Sequence, residues 1–346
     1  MEAGALTKTT LESVVDNGLR ELAGDTDRSL RKLVDLGRMC AKGRFQKHFF
    51  GLMDTMLSRE ERSPYYDLVR ALVRTVDHQA LRTFGINIGW ESWTVGASRI
   101  RAYERERGYN IPWSLTFTLD GGGPEAMAEA DYRRVLSEAK AKGICTFFCF
   151  VGRRWEALNL ALDLAGGAPE CAFLLFLPPE LVDAGAVSGL KRRPNILTLL
   201  DTSRPGWADA ARRLEGEGRF YGFFRPYAGG EAVEDICSGR WAEGLLGHTG
   251  AIAMTVAAED CPLRDRARVR DWALAARTEQ RYPLVPMDFY PDILLVDGIV
   301  SDGEWRYLGC RADGTATVYR EGERPLPLNF RTSSLTELLE AAEGLQ

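Results

Sequence analysis

The pattern of apolar and polar positions changes near residue 110. Before this point, apolar residues recur at the spacing of amphipathic helices, as at Leu68 and Leu72. Ser63 followed by Pro64 is typical of a helix start, with serine as the cap and proline in the first turn. The pattern therefore predicts a helical subdomain over residues 1–110.

From residue 111 onward, short apolar runs alternate with amphipathic helical segments. Nearly continuous apolar runs are typical of parallel strands that are covered on both faces, and the helices between them indicate βα units. Six or seven such units in about 180 residues fit a partial (β/α)6 TIM-like barrel better than a complete eightfold one. We place this α/β barrel at residues 111–295. The predicted strands are Trp113–Leu119, Ile144–Val151, Cys171–Leu177, Ile196–Leu200, Phe220–Phe224, Ala251–Ala257 and Leu284–Phe289.

The C-terminal segment, residues 296–346, has a third pattern. Asp313-Gly314 stands between two strand-like runs, Trp305–Gly309 and Thr315–Arg320, which is typical of a β-hairpin. Helical periodicity returns at Leu335–Ala342. We therefore predict an extension made of a hairpin and a helix.

Composition excludes several classes of function. The chain has 44 basic and 49 acidic residues and a net charge of −5, so we expect no nucleic-acid partner. No stretch approaches the ~20 continuous apolar residues that span a bilayer, and the first residues do not resemble a signal peptide. We expect a cytoplasmic protein without a membrane partner. The seven cysteines are an odd, scattered set, which we expect to be thiols in a reducing compartment.

The motif Gly108-Tyr109-Asn110-Ile111-Pro112-Trp113 leads into the first apolar run. This passage resembles the lead-in to the first barrel strand of one group of radical S-adenosylmethionine (SAM) proteins. Weaker likenesses follow in consistent order at Phe173–Phe176, Met287-Asp288-Phe289 and Asn329-Phe330-Arg331. The resemblance implies a radical-SAM partial barrel with a SPASM-like C-terminal extension.

The chemistry of that family is missing. In the family, the loop after the first strand carries Cys-x3-Cys-x2-Cys, whose thiolates hold a [4Fe–4S] cluster. Here the strand ends at Asp120 and runs into Gly121-Gly122-Gly123-Pro124-Glu125, and no cysteine lies between Cys40 and Cys145. Iron–sulfur clusters are held by thiolates. The resemblance therefore implies a degenerate radical-SAM protein without a [4Fe–4S] cluster, which cannot cleave SAM reductively.

A second family feature is also altered. The family has a Gly-Gly-Glu motif after the second strand, whose backbone receives the amino group of SAM. In this chain Arg153 follows Gly152 at that place. An arginine there would repel the ammonium of SAM, so this substitution disfavours SAM as a ligand. We accordingly predict no cofactor.

Candidate functional residues lie at the carboxyl ends of the predicted strands, where barrel enzymes build their active sites. The mixed charges there suit a small polar or anionic ligand, and arginine grips carboxylate or phosphate with two hydrogen bonds. A structural role in a polar loop is the competing interpretation for each of them. The catalytic candidates are Asp120 and Asp288, and the ligand-binding candidates are Arg153, Gly121, Gly122, Gly123, Arg225 and Tyr290.

Gly121, Gly122 and Gly123 fit a backbone cradle for an anion, before a helix beginning near Pro124, and fit a shortened connection equally well. The three histidines, His48, His78 and His248, show no metal-ligand spacing, so we predict no metal site.

Three functions remain open. The leading hypothesis is a pseudoenzyme that binds a small ligand or a partner, either an active radical-SAM paralogue or a second copy of itself. The second is a cluster-independent isomerase, lyase or hydrolase that uses Asp120, Asp288 and Arg153. The third is a SAM-binding protein without radical chemistry. The sequence leaves open whether the protein is catalytic.

Overall fold

A computed structural model describes residues 8–24, 28–32, 34–35, 51, 63–123, 125–301 and 307–343. Within these residues the protein is a mixed α/β structure built on one ten-stranded, mostly parallel sheet. The strands are β1 (Ser114–Leu119), β2 (Thr146–Val151), β3 (Ala172–Leu177), β4 (Ile196–Asp201), β5 (Tyr221–Tyr227), β6 (Ile252–Ala257), β7 (Val285–Asp288), β8 (Leu308–Cys310), β9 (Thr315–Tyr319) and β10 (Glu323–Asn329).

Helices alternate with the first seven strands. Among the described residues, none of the helices is both long enough and apolar enough to cross a membrane. The helices are α1 (Lys8–Gly24), α2 (Pro64–Thr75), α3 (His78–Ile86), a π-helix (Asn87–Gly96), α4 (Ala97–Arg107), α5 (Glu129–Lys142), α6 (Trp155–Gly167), a 3₁₀ turn (Pro179–Leu181), α7 (Ala184–Lys191), α8 (Trp207–Gly216), α9 (Gly230–Cys237), α10 (Arg240–Gly244), α11 (Leu263–Thr278), α12 (Phe289–Val300) and α13 (Leu335–Glu343).

The strands β1 to β7 lie side by side in chain order and pair in parallel. Each lies within or overlaps one of the seven predicted apolar runs, so the mixed α/β class is confirmed. The predicted (β/α)6 barrel has one βα unit fewer than the structure, because β7 is also a parallel strand followed by a helix. The sheet is open: β7 and β10 are its two edges. The described strands therefore do not close into a barrel, and the partial-barrel form stays a prediction.

The C-terminal hairpin extends the main sheet instead of standing apart from it. The strand β8 pairs in parallel with β1, with Thr116 opposite Gly309, and β9 and β10 follow in antiparallel pairing. The turn contains Gly314 at φ +85°, a conformation that glycine adopts without strain. Of the predicted strand Trp305–Gly309, residues 305 and 306 lie outside the described residues.

The predicted start of α2 is confirmed. The hydroxyl of Ser63 accepts a hydrogen bond of 3.2 Å from the backbone nitrogen of Tyr65, which is a helix N-cap contact. The π-helix was not expected. It is tied to the segment before β3 by Asn87, whose side chain donates to the carbonyl oxygens of Pro169 and Cys171 at 2.8 and 2.9 Å. The division into units 1–110, 111–295 and 296–346 stays a prediction.

An aromatic cluster fills one face of the sheet near its carboxyl ends. The ring of Phe289, fully buried at the start of α12, packs edge-on against Phe148, Phe150 and Phe176 at centroid distances of 5.4, 5.2 and 5.4 Å. The buried ring of Phe289 therefore fixes the backbone position of the residues on either side of it, Asp288 and Tyr290. Both neighbours belong to the candidate site.

Candidate functional site

A cavity of about 310 Å³ lies where the carboxyl ends of β1 and β6 meet the C-terminal extension. The main sheet contributes its walls from the end of β1, the end of β6 and the first turns of α11 and α12. The extension contributes the rest from the β8–β9 turn, β9 and β10. The lining residues are Thr118, Ala257, Ala258, Glu259, Arg266, Tyr290, Arg311, Tyr319 and Glu323.

The buried Arg266 joins the two halves of this cavity. Its Nε donates to the carbonyl oxygen of Cys261 and its Nη2 donates to those of Ala258 and Glu259, at 2.7–3.0 Å. Its Nη1 donates across the cavity to the carbonyl oxygen of Glu321 at 2.6 Å and to the hydroxyl of Tyr319 at 3.3 Å. All five N–H donors of the guanidinium are thus used. Arg266 therefore holds the β6–α11 loop against the β9–β10 hairpin.

The carboxylate of Glu323 is held by two tyrosines. The hydroxyls of Tyr290 and Tyr307 both donate to its Oε1, each at 2.8 Å. The ring of Tyr290 also stacks on Tyr319, with centroids 4.0 Å apart and planes within 9°. Burial raises the pKa of Tyr290, and that of Tyr307, well above the usual value for a phenol. Both phenols therefore remain protonated donors, and one face of Glu323 is fixed in place.

Arg311 in the β8–β9 turn faces two carboxylates. Its Nη2 lies 3.6 Å from Oε1 of Glu259 and 4.0 Å from Oε2 of Glu323. Both distances exceed the 2.7–3.2 Å range of a direct N–H···O hydrogen bond. These are therefore loose ion pairs around an open space.

Asp288 lies beside the cavity, at the junction of β7 and α12. Its Oδ1 accepts a hydrogen bond from the hydroxyl of Thr255 at 3.0 Å, and the hydroxyl of Tyr227 approaches its two oxygens at 3.4 and 3.5 Å. The side chain is 2% exposed. Burial, with a contribution from the nearby charge of Asp292, raises the pKa of Asp288 to about 7, although the two hydrogen bonds oppose the shift. This carboxyl can gain or lose a proton near neutral pH.

The loop after β1 lies against the start of α6, apart from the cavity. Asp120 is exposed, and its carbonyl oxygen accepts a hydrogen bond from Nε of Arg154 at 3.2 Å. Gly121 has φ +78°, and a Cβ atom there would lie 2.9 Å from the carbonyl carbon of Glu156. Packing therefore requires this glycine. The predicted helix start at Pro124 falls outside the described residues, and α5 begins at Glu129.

The two predicted arginines have acidic partners outside the cavity. The side chain of Arg153 is 71% exposed and its Nε lies 3.9 Å from Oε1 of Glu180, which also binds Arg204 through two hydrogen bonds. Arg225 donates from Nη1 to Oδ2 of Asp235 at 2.6 Å. Its charge is therefore balanced within the fold.

Of the predicted site residues, the structure brings only Tyr290 to the cavity wall and Asp288 beside it. Asp120, the three glycines, Arg153 and Arg225 do not line this cavity. The sequence reasoning missed Arg266, Arg311, Tyr319 and Glu323. The only available signal was the Asp313-Gly314 hairpin, which does not say that β8 pairs with β1.

The loop after β1 does not fit a [4Fe–4S] cluster. Its residues from Asp120 to Ala128 include no cysteine and no histidine, whereas such clusters are held by thiolates. The six cysteines in the described part of the chain are free thiols outside this loop, and burial raises the pKa of Cys149 and Cys310. In that part of the chain no three metal-ligating side chains are grouped. Cys40 and His48 lie outside it.

The comparisons with known proteins show a likeness in structure and none in sequence. No protein-family model and no curated protein matches this chain. The fold is similar to a crystal structure of Streptococcus suis SuiB bound to S-adenosylmethionine, with a TM-score of 0.50 and 13% sequence identity. The match covers 69% of this chain and 66% of SuiB, slightly less than two thirds of that protein. It supports a radical-SAM-like fold.

The prediction that no cofactor, and SAM in particular, belongs to this scaffold is contradicted by that neighbour, which was solved with SAM bound. The exclusion of SAM rested on repulsion by Arg153. The guanidinium of Arg153 is mostly exposed and lies beside Glu180, so water and ions screen its charge. One screened charge is too weak a reason to exclude SAM.

Proposed function

We propose that this chain is a radical-SAM-like protein that holds no [4Fe–4S] cluster and binds a small polar ligand at the carboxyl edge of its sheet. The observation that carries this proposal is the donor set of the loop after β1, where glycines and carboxylates stand in place of thiolates. Without thiolates no cluster forms there, and no electron reaches SAM for reductive cleavage. The function is then that of a binding protein or pseudoenzyme.

The cavity supports the ligand-binding part of the proposal. Its volume of about 310 Å³ is at the lower end of the range for small-molecule sites. It combines stacked aromatic rings with a few oriented polar groups, which is the usual composition of such sites. The position at the carboxyl ends of parallel strands is also where α/β proteins bind their ligands.

Iron and sulfide content after anaerobic reconstitution tests this proposal. We expect purified and reconstituted protein to retain neither in stoichiometric amount. A stable cluster bound by the folded chain would contradict it.

SAM binding without radical chemistry is a second candidate. It is favoured by the similarity to a SAM-bound structure and by the screening of Arg153 beside Glu180. Calorimetric titration of the full chain with SAM is then expected to saturate near one SAM per chain. The Arg153→Gln variant should bind at least as tightly, since it removes a like charge. No heat change with a folded protein at millimolar SAM would rule this candidate out.

A cluster-independent enzyme is the third candidate, favoured by the pKa of about 7 at Asp288. A general acid or base works best when its pKa lies near the working pH. Asp288 stands two positions before Tyr290, a residue of the cavity wall. In this function Asp288 would transfer a proton and Arg311 would hold an anionic group of the substrate.

A further inference from the structure

We propose that the cavity binds a small zwitterion of the α-amino acid class, with its carboxylate on Arg311 and its ammonium on Glu323. This inference rests on the proposed ligand-binding function and names the chemistry of the ligand. It depends on four features of the cavity: an arginine with free donors, a carboxylate with one free oxygen, a balanced charge and an aromatic wall.

Arg311 has donors to offer to a ligand. Within the described residues its guanidinium makes only the two loose ion pairs from Nη2, to Glu259 and Glu323. Its Nε and Nη1 are therefore available for the paired hydrogen bonds that arginine forms with a carboxylate. Arg266, by contrast, has already used all five donors on the protein itself.

Glu323 has one oxygen to offer. Its Oε1 accepts from both Tyr290 and Tyr307, which fixes the orientation of the carboxylate. Its Oε2 faces Arg311 at 4.0 Å, too far for a hydrogen bond. A ligand ammonium can bind this oxygen, and the tyrosine contacts keep the carboxylate in place for it.

The charges of the cavity favour a zwitterion over a ligand that carries a net charge. Its wall carries two cations, Arg266 and Arg311, and two acids, Glu259 and Glu323. A bound anion would leave an excess negative charge in a partly enclosed space, and a bound cation would leave an excess positive one. An unpaired charge in such a space is unfavourable, whereas a zwitterion pairs both groups and leaves no excess.

The aromatic wall suits the remaining part of such a ligand. Tyr290 and Tyr319 stack face to face beside Glu323. Their rings offer an apolar surface to an amino-acid side chain and an electron-rich one to an ammonium group. The groups proposed to hold the carboxylate, the ammonium and the side chain are therefore neighbours in the structure.

The test is calorimetric titration of the full chain with each standard L-amino acid, up to about 10 mM. The tightest binder is then compared with two analogues: its α-hydroxy acid, which lacks the ammonium, and its decarboxylated amine. We expect at least one amino acid to bind and both analogues to bind at least about tenfold more weakly. The proposal is overturned if no amino acid binds, or if either analogue binds as tightly.

Variants locate the site. Arg311→Gln and Glu323→Gln should each weaken binding at least about tenfold. Matched controls are Arg320→Gln and Glu321→Gln, whose exposed side chains are not among the lining residues. Arg266 binds only the backbone carbonyl of Glu321, which the substitution keeps, so both variants should leave the affinity unchanged. If Glu323→Gln does not fold, Arg311→Gln decides alone, since the side chain of Arg311 is 41% exposed and its loss leaves no buried charge. Equal binding by all folded variants would place the ligand elsewhere and overturn the proposal.

The two proposals fail separately. If the α-hydroxy acid binds tightly, the cavity is a ligand site, as proposed under the function, but its ligand need not be a zwitterion. A reconstituted cluster would remove the cluster-free function whatever the amino-acid titrations show.

Discussion

The carboxyl group of Asp288 is buried and accepts hydrogen bonds from the hydroxyls of Thr255 and Tyr227. In an unfolded chain an aspartate has a pKa of about 3.9, and burial raises that of folded Asp288 to about 7. The folded state therefore binds this proton more tightly than the unfolded state does. The stability that this group contributes is complete below about pH 4 and is lost as the pH rises from about 4 to about 7.

The Asp288→Asn variant should reduce that pH dependence, because asparagine resembles the protonated acid. Between about pH 5 and about pH 8, we expect the native protein to lose on the order of 2 kcal/mol more unfolding free energy than the variant. Urea denaturation at both pH values measures it. The control is Asp120→Asn, at the exposed end of β1, which should follow the native protein. Equal pH dependence in native and Asp288→Asn proteins would contradict the buried-acid interpretation.

The candidate site was only partly predictable at the level of single residues. Tyr290 was found because polar residues after parallel strands gather at one edge of the sheet. The same rule selected Arg153 and Arg225, and it could not show that Glu180 and Asp235 lie beside them. Arg311 and Glu323 were missed because their place at the cavity depends on a long-range strand pairing.

The loop after β1 packs closely against the start of α6 at Gly121. Gly121 combines a positive φ with a position where a Cβ atom would meet the backbone of Glu156 and Ala157. This close packing is a structural reason for glycine at position 121. Whether the loop also binds an anion stays a prediction.

Replacement of Gly121 by alanine should therefore be costly. The strained conformation and the displaced helix start together predict a loss of about 2 kcal/mol or more in unfolding free energy. Gly85→Ala is the matched control, since Gly85 lies in α3 with no neighbouring atom within 4 Å and an ordinary φ, so alanine there should be neutral or stabilising. Denaturant titration of the two variants measures their unfolding free energies. A Gly121→Ala protein as stable as the control would show that the loop tolerates a side chain.

The elements differ in how far the sequence predicted them. The strands β1 to β7 were predicted because buried parallel strands are continuous apolar runs. The strand β10 was not, because it contains Pro325 and Pro327, which disfavour a central strand and are tolerated at a sheet edge such as this one. The π-helix has no sequence signature of its own, and its form depends on contacts such as that of Asn87 with Cys171.

For the whole molecule, the fold was more predictable than the function. Repeated alternation of apolar runs and helices fixes an α/β sheet, whichever chemistry its loops carry. The structural similarity to the SAM-bound protein, at 13% sequence identity, concerns the fold alone. Activity depends on individual loop residues, which a shared fold does not specify. Association with a radical-SAM paralogue or with a second copy stays a prediction.

The central claim is that the loop after β1 cannot hold an iron–sulfur cluster. Its most direct test is anaerobic reconstitution of the full chain with iron and sulfide, followed by desalting and measurement of both elements and of the visible absorption. We expect iron and sulfide well below one per chain and no broad absorption, in the native protein and in a Cys145→Ser control alike. Retention of about four iron and four sulfide per folded chain would contradict it.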